Sequence, residues 1–193
     1  MSGTSAGERT KMKSVEMVVS ERITTTDITC VKNVVVLKGY VDDGKTTVLK
    51  EVVRQLHEMY PDAWALRRRY DARKFDITMV VANEDGGDCV AVYKINGIVI
   101  LIFTGGDNPS VVTNTFAMAA KYRAQVVVSA LKVKNEGCMK TRAQLAYELI
   151  ERRASFETTY VDICGRRLRS APEEQIVARE IVGVINNLVK KEG

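Results

Sequence analysis

Apolar and polar positions recur along this chain with two different periods. The first clear run, Val34-Val35-Val36-Leu37, is β-branched for three residues and suits a strand buried on both faces. Downstream, Val48, Leu49, Val52, Val53, Leu56, Met59 and Tyr60 recur at helical spacing with Lys50, Glu51, Arg54 and Glu58 between them. That pattern predicts an amphipathic helix, ended by Pro61-Asp62. Three β-prone runs follow at 77–82, 89–95 and 98–103, separated by the polar turn 83–88 and by the hairpin dipeptide Asn96-Gly97. Two hairpins in succession reverse the chain twice. The third run is therefore expected to lie parallel to the first, with its end, Thr104-Gly105-Gly106-Asp107, beside the loop after the opening strand.

A helix is predicted over Pro109 to Tyr122, from the proline at its start and from Asp107 or Asn108 as N-cap. A strand over 125–129, a helix over 140–153, a strand over 158–163 and a last helix over 172–190 follow. This alternation predicts right-handed βαβ units in the α/β class: a three-layer α/β/α sandwich with a mainly parallel sheet and an antiparallel hairpin element. Residues 1–14 carry too little apolar material to offset the entropy of ordering and read as a flexible tail. The next stretch, Ser14 to Lys32, holds Val15, Met17, Val18, Val19 and Ile23 and fits a short helix or a strand alike.

Between the opening strand and its helix stands Gly39-Tyr40-Val41-Asp42-Asp43-Gly44-Lys45-Thr46. The spacing GxxxxGK[ST] lets successive backbone N–H groups wrap a phosphate, brings the lysine to the β- and γ-phosphates and sets the threonine hydroxyl on Mg²⁺. The first turn of the helix adds unpaired N–H groups and the positive end of its dipole. Residues 34 to 60 thus resemble the first strand, Walker A loop and first helix of the P-loop NTPase superfamily. The resemblance implies that Gly39, Gly44, Lys45, Thr46 and Thr47 take the phosphate and Mg²⁺ roles, that ATP and Mg²⁺ are the cofactors, and that residues 15–193 form a single P-loop nucleotide-binding domain. Asp43 is counted with the cradle. Many kinase-type loops carry a third, central glycine where this one has Val41-Asp42-Asp43. Aspartate adopts left-handed backbone geometry better than most residues, yet its carboxylate repels a polyphosphate unless it points outward or toward a cation.

A second acid is needed to hold the metal or its water, and Asp107 follows an apolar strand as a Walker B acid does, although Thr104-Gly105-Gly106 displaces it from the strand end. Capping of the next helix is the alternative role for this aspartate. The two glycines would let the backbone approach a phosphate closely. Phe103 stands where a GTPase DxxG motif has its aspartate, and Ser129-Ala130-Leu131-Lys132 supplies no NKxD pattern, so ATP fits better than GTP. Arg166 and Arg167 follow the strand 158–163, at the carboxyl end where ligands bind in open α/β sheets, and are candidates for contact with the cofactor. Arg142, Arg152 and Arg153 are candidates for a phosphoryl-clamping lid. Arg67-Arg68-Arg69 near Trp64 and Tyr70 invites a nucleic-acid reading, against an ordinary basic surface. The lone His57 has no matched serine or cysteine and is given no catalytic role.

Composition narrows this further. With 193 residues, 46% hydrophobic and 27% charged, there is room for one substantial core and none for a second full catalytic domain. The 29 basic and 24 acidic residues leave a net charge of +5, too modest to demand nucleic acid. Cys30, Cys89, Cys138 and Cys164 are scattered, form no CxxC pair and read as reduced intracellular thiols. No segment reaches membrane-spanning length, and a cytoplasmic location is expected. The sequence therefore predicts an ATP-binding protein, a small kinase-like phosphotransferase or NTPase using Mg-ATP, with its acceptor illegible. A nucleotide-dependent switch or assembly protein with slow hydrolysis is the alternative. Intact Lys45 and Thr46 speak against a degenerate loop kept only for interaction.

Overall fold

The computed structural model describes residues 6–22, 28–71, 76–79, 88–134, 138–168 and 170–192. Helix α1 (Ala6–Arg22) precedes β1 (Asn33–Gly39), α2 (Lys45–Met59), β2 (Trp64–Asp71), β3 (Asp76–Met79), β4 (Cys89–Ile95), β5 (Ile98–Phe103), α3 (Pro109–Tyr122), β6 (Val126–Lys132), α4 (Arg142–Arg153), β7 (Glu157–Asp162) and α5 (Ala171–Glu192). Among the described residues the strands form one sheet in the order β3-β2-β4-β5-β6-β1-β7. β5, β6, β1 and β7 pair in parallel, β4 is antiparallel to both β5 and β2, and β3 is antiparallel to β2. The α/β class and the mostly parallel sheet are as the sequence pattern predicts. Among the described residues no helix is long and apolar enough to cross a membrane.

β1 lies inside the sheet between β6 and β7, which is why its β-branched run is buried on both faces. Val35 and Leu37 pack with Val48, Leu49 and Val52 of α2 and Ile181 and Ile185 of α5. Val34 and Val36 pack on the opposite side with Phe116 of α3 and Ala146 and Ile150 of α4. Burying a side chain the size of Leu37, wholly hidden from solvent, contributes about 2 kcal/mol. The Asn96-Gly97 turn is as predicted: φ values of 50° and 84° are the paired left-handed conformations of a type I′ hairpin, and β4 and β5 meet across it from Ile95 opposite Ile98.

Three expectations need correction. The run 64–71 is a strand that the pattern did not predict, because its arginines break the apolar alternation; Arg67, Arg68 and Arg69 all lie within β2. β2 stands between β3 and β4, so the third run, β5, is antiparallel to the first, β3, rather than parallel to it. Residues 80–82 of that first run fall outside the described residues. Finally, residues 6–14, expected as a tail, are the first half of α1, whose Val15 and Val19 bury against α3 and α4 at a spacing of one helical turn.

The connections set up a crevice. β1 leads into α2 on one face of the sheet and its neighbour β6 leads toward α4 on the other. Adjacent parallel strands whose connections leave to opposite faces part at their carboxyl ends, which is where open α/β sheets bind ligands.

Candidate functional site

The loop 40–44 fills that crevice and is held by its own side chains. Asp42 (φ 62°) and Gly44 (φ 85°) take left-handed backbone conformations, which aspartate and glycine tolerate. A β-carbon on Gly44 would also lie 3.1 Å from the Leu168 carbonyl oxygen. Asp43 is only 1% exposed, and its Oδ2 accepts from Tyr40 N at 2.7 Å and from Gly165 N at 3.0 Å. The carboxylate therefore faces into the loop, and its negative charge is taken up by two backbone N–H groups. Asp43, expected among the cofactor-binding residues, instead ties the loop to the β7–α5 connection, and it does not line the cavity.

A cavity of about 420 Å³ opens over the loop and the start of α2, lined there by Asp42, Gly44, Lys45, Thr46 and Thr47. Lys45 is 8% exposed and donates to the Tyr40 carbonyl oxygen. Burial holds its ammonium below the usual lysine range; Asp107 and then Asp43 pull the other way, and Lys132 adds to the lowering. Gly39 closes the strand in a tight space, where a β-carbon would sit 3.1 Å from both Ile163 Cγ1 and Lys45 Cγ.

The facing wall comes from β4, β5 and β6. Thr104, 1% exposed, accepts from Cys89 N at 2.8 Å and donates to Asp88 Oδ1 at 3.2 Å, extending the β4–β5 pairing one residue past Phe103. Asp88, Thr104 and Asp107 all line the cavity. Burial pushes the Asp88 carboxyl upward, the bond from Thr104 opposes that, and Asp107 adds to it. Asn108, whose side chain accepts from Val111 N, is the N-cap of α3, so Asp107 is exposed and free of the capping role. Gly106 has a different purpose from the one its sequence context suggested. A β-carbon there would lie 1.9 Å from the Ala130 carbonyl oxygen, so this glycine admits strand β6 rather than a phosphate. Its own carbonyl accepts from Lys132 N at 3.1 Å. Lys132, at the end of β6, lines the cavity; its carbonyl accepts from Thr141 Oγ1 at 2.9 Å, and Thr141 heads α4 in a reciprocal capping box with Gln144.

Two lysines, three aspartates and Glu174 thus share one cavity with Thr46. Thr46, Asp107 and Asp88 offer hard oxygen donors, the kind Mg²⁺ takes, and that ion is ordinarily held by one or two carboxylates together with waters and phosphate oxygens. Among the described residues no cluster of three or more His, Cys, Asp or Glu side chains is placed to hold a metal. The donor set fits a cation completed by its ligand and does not fit a site built by the protein alone.

The predicted arginines stand elsewhere. Arg166 and Arg167 are exposed on the β7–α5 connection outside the cavity lining, to which Leu168 of that connection and Glu174 of α5 contribute instead. Arg142 is exposed at the start of α4. Arg152 lies 3.8 Å from Glu148 and Arg153 donates to Ser20 Oγ at 3.2 Å, both at the end of α4 that leads back to the amino end of β7 and so away from the loop. His57 borders a second cavity between α2 and α5. All four cysteines are free; Cys164, beside Asp162, has its thiol pushed up to about 12 by burial and by that carboxylate, and is no thiolate at neutral pH.

Asp88, Lys132 and Glu174 were not singled out by sequence reasoning. Asp88 could have been found: counting outward from Asn96-Gly97 places residue 89 opposite 104 and residue 88 beside 105. Lys132 could not, because it faces the loop only through the parallel register that sets it opposite Gly39. In comparisons with protein-family models, curated proteins and solved structures, nothing matches the chain.

Proposed function

We propose that the chain is an ATP-binding P-loop protein, a three-layer α/β/α sandwich that acts on Mg-ATP as a small kinase-like phosphotransferase or NTPase. The observation that carries this reading is the position of the GxxxxGK[ST] loop at the β1–β6 crevice, with the buried Lys45 ammonium bonded to the Tyr40 carbonyl and favoured in its charged form by Asp107 and Asp43. In this assignment the N–H groups of the first turn of α2 cradle phosphate oxygens. Lys45 neutralises charge on the β- and γ-phosphates, and Lys132 does so from the β6 side. Thr46 and Asp107 hold the metal, and Asp88, fixed by Thr104, positions water at the same wall. Mg²⁺ bound there would offset charge on the β- and γ-oxygens. A cytoplasmic location belongs to the same proposal.

A nucleotide-dependent switch with slow hydrolysis is the second reading, and Asp43 favours it. Its bonds to Tyr40 and Gly165 couple the phosphate loop directly to the β7–α5 connection, so a movement of one is felt by the other. Release of γ-phosphate from Mg-ATP separates the cases. Steady release or transfer to an acceptor, abolished in Lys45→Ala and in Asp107→Asn, supports the enzyme. A change in oligomeric state with ATP and negligible turnover supports the switch. Phosphate release that survives Lys45→Ala in a pure sample contradicts both.

A further inference from the structure

The cavity between α2 and α5, about 410 Å³, meets the phosphate cavity at two shared residues, Thr47 and Glu174. Thr47 ends the cradle of the first helical turn, where a bound polyphosphate gives way to whatever it is esterified to. Glu174 stands on the first turn of α5, half-buried, with Oε1 3.8 Å from the point a β-carbon would occupy on Gly44. A negative charge at the rim of a polyphosphate site weakens binding, so a carboxylate there works against affinity unless it recognises something else on the ligand. Burial and then Glu51 and Glu173 push the Glu174 carboxyl upward, and no ion pair joins it to a cation among the described residues. Arg54, on the same cleft, is held by Glu51 and Glu58.

An ionised carboxylate is acceptor-only, and its two oxygens match two adjacent O–H donors. We propose that Glu174 reads the sugar: it accepts hydrogen bonds from the vicinal hydroxyls of a ribose seated where the two cavities meet, which makes the ligand a ribonucleoside polyphosphate. The remainder of the α2–α5 cleft, with His57 and Gln175 on its walls, is left for the base. This inference rests on the nucleotide reading above and adds to it the class of sugar and the residue that selects it.

The test is calorimetric titration of the full chain with four probes: ATP, 2′-deoxy-ATP, 3′-deoxy-ATP and inorganic tripolyphosphate. Wild-type protein is expected to bind ATP about 10- to 100-fold more tightly than either deoxy analogue, the worth of one hydrogen bond to a charged group. Glu174→Gln narrows that ratio and Glu174→Ala brings it close to one, while tripolyphosphate binds the alanine variant more tightly because a negative charge has left the rim. Equal wild-type affinity for ATP and both deoxy analogues overturns the inference, and needs no variant. So does an alanine variant that keeps the preference. Failure of the folded wild-type chain to bind tripolyphosphate and ATP alike overturns the nucleotide reading itself, and the sugar assignment falls with it.

Discussion

Removing the Asp43 carboxylate should cost stability before it costs ligand. Asp43 is wholly buried and spends Oδ2 on two backbone donors, Tyr40 N at 2.7 Å and Gly165 N at 3.0 Å. A hydrogen bond to a charged group is worth about 1.5 to 3 kcal/mol. Tyr40 is half-buried and loses most of that in Asp43→Ala, whereas Gly165 is exposed and recovers a partner from water. The expected loss is therefore about 2 to 3 kcal/mol, with roughly half of it in Asp43→Asn, which keeps a neutral acceptor. With a urea dependence of about 2 kcal/mol per molar, the alanine variant unfolds at about 1 M less urea than wild type. Tripolyphosphate affinity, measured well below that midpoint, should fall much less than it does in Lys45→Ala. The reasoning is refuted if Asp43→Ala unfolds with wild type yet loses tripolyphosphate or Mg-ATP binding by an order of magnitude, since the carboxylate would then be acting on the ligand or its cation.

Other outcomes follow from the same geometry. Gly106→Ala forces a β-carbon to within 1.9 Å of the Ala130 carbonyl and should cost more than about 4 kcal/mol or prevent folding. Gly183→Ala, in α5 with nothing within 4 Å, should instead raise thermal stability by about 0.5 to 1 kcal/mol, and a pair of melting curves checks both. Lys132→Ala should weaken ATP more than ADP, because Lys132 lines the cavity with Lys45 and is assigned to the β- and γ-phosphates, the second of which ADP lacks; equal loss for the two nucleotides contradicts that place. Burial lowers the Lys45 pKa from 10.5, and this has two opposite consequences as pH rises toward that value. ATP affinity falls, since only the charged lysine attracts the phosphates. The ligand-free fold gains stability, since the unfolded chain binds the proton more tightly. Titrations and urea curves taken as the pH is raised toward 10.5 follow the two trends, and Lys45→Arg should flatten both, as arginine keeps its charge throughout.

The loop 39–46 stood out in the sequence because its pattern is local. The glycines, lysine and threonine sit at fixed offsets between one apolar run and one helical stripe, and nothing distant is needed to read them. Asn96-Gly97 was legible for the same reason. The β2 strand was not, since Arg67-Arg68-Arg69 hides its period, and missing one strand reversed the expected direction of β5 against β3. The role of Asp43 depends on Gly165, which is 122 residues away in sequence, and the need for Gly106 depends on β6. The same holds for Lys132 and Glu174: each reaches the cavity through the sheet order or through helix packing, which a local pattern does not encode. The arginines failed for the converse reason. Arg152 and Arg153 are plausible by residue type, but the direction of α4 carries them to the far end of the sheet.

The central claim is that the Gly39 to Thr46 loop is a working polyphosphate site. Calorimetric titration of the folded chain with ATP, with and without Mg²⁺, beside Lys45→Ala tests it most directly. Saturable binding that Mg²⁺ strengthens and that Lys45→Ala abolishes is the predicted result. Absence of binding in the wild-type chain, or binding that Lys45→Ala leaves intact, contradicts the account.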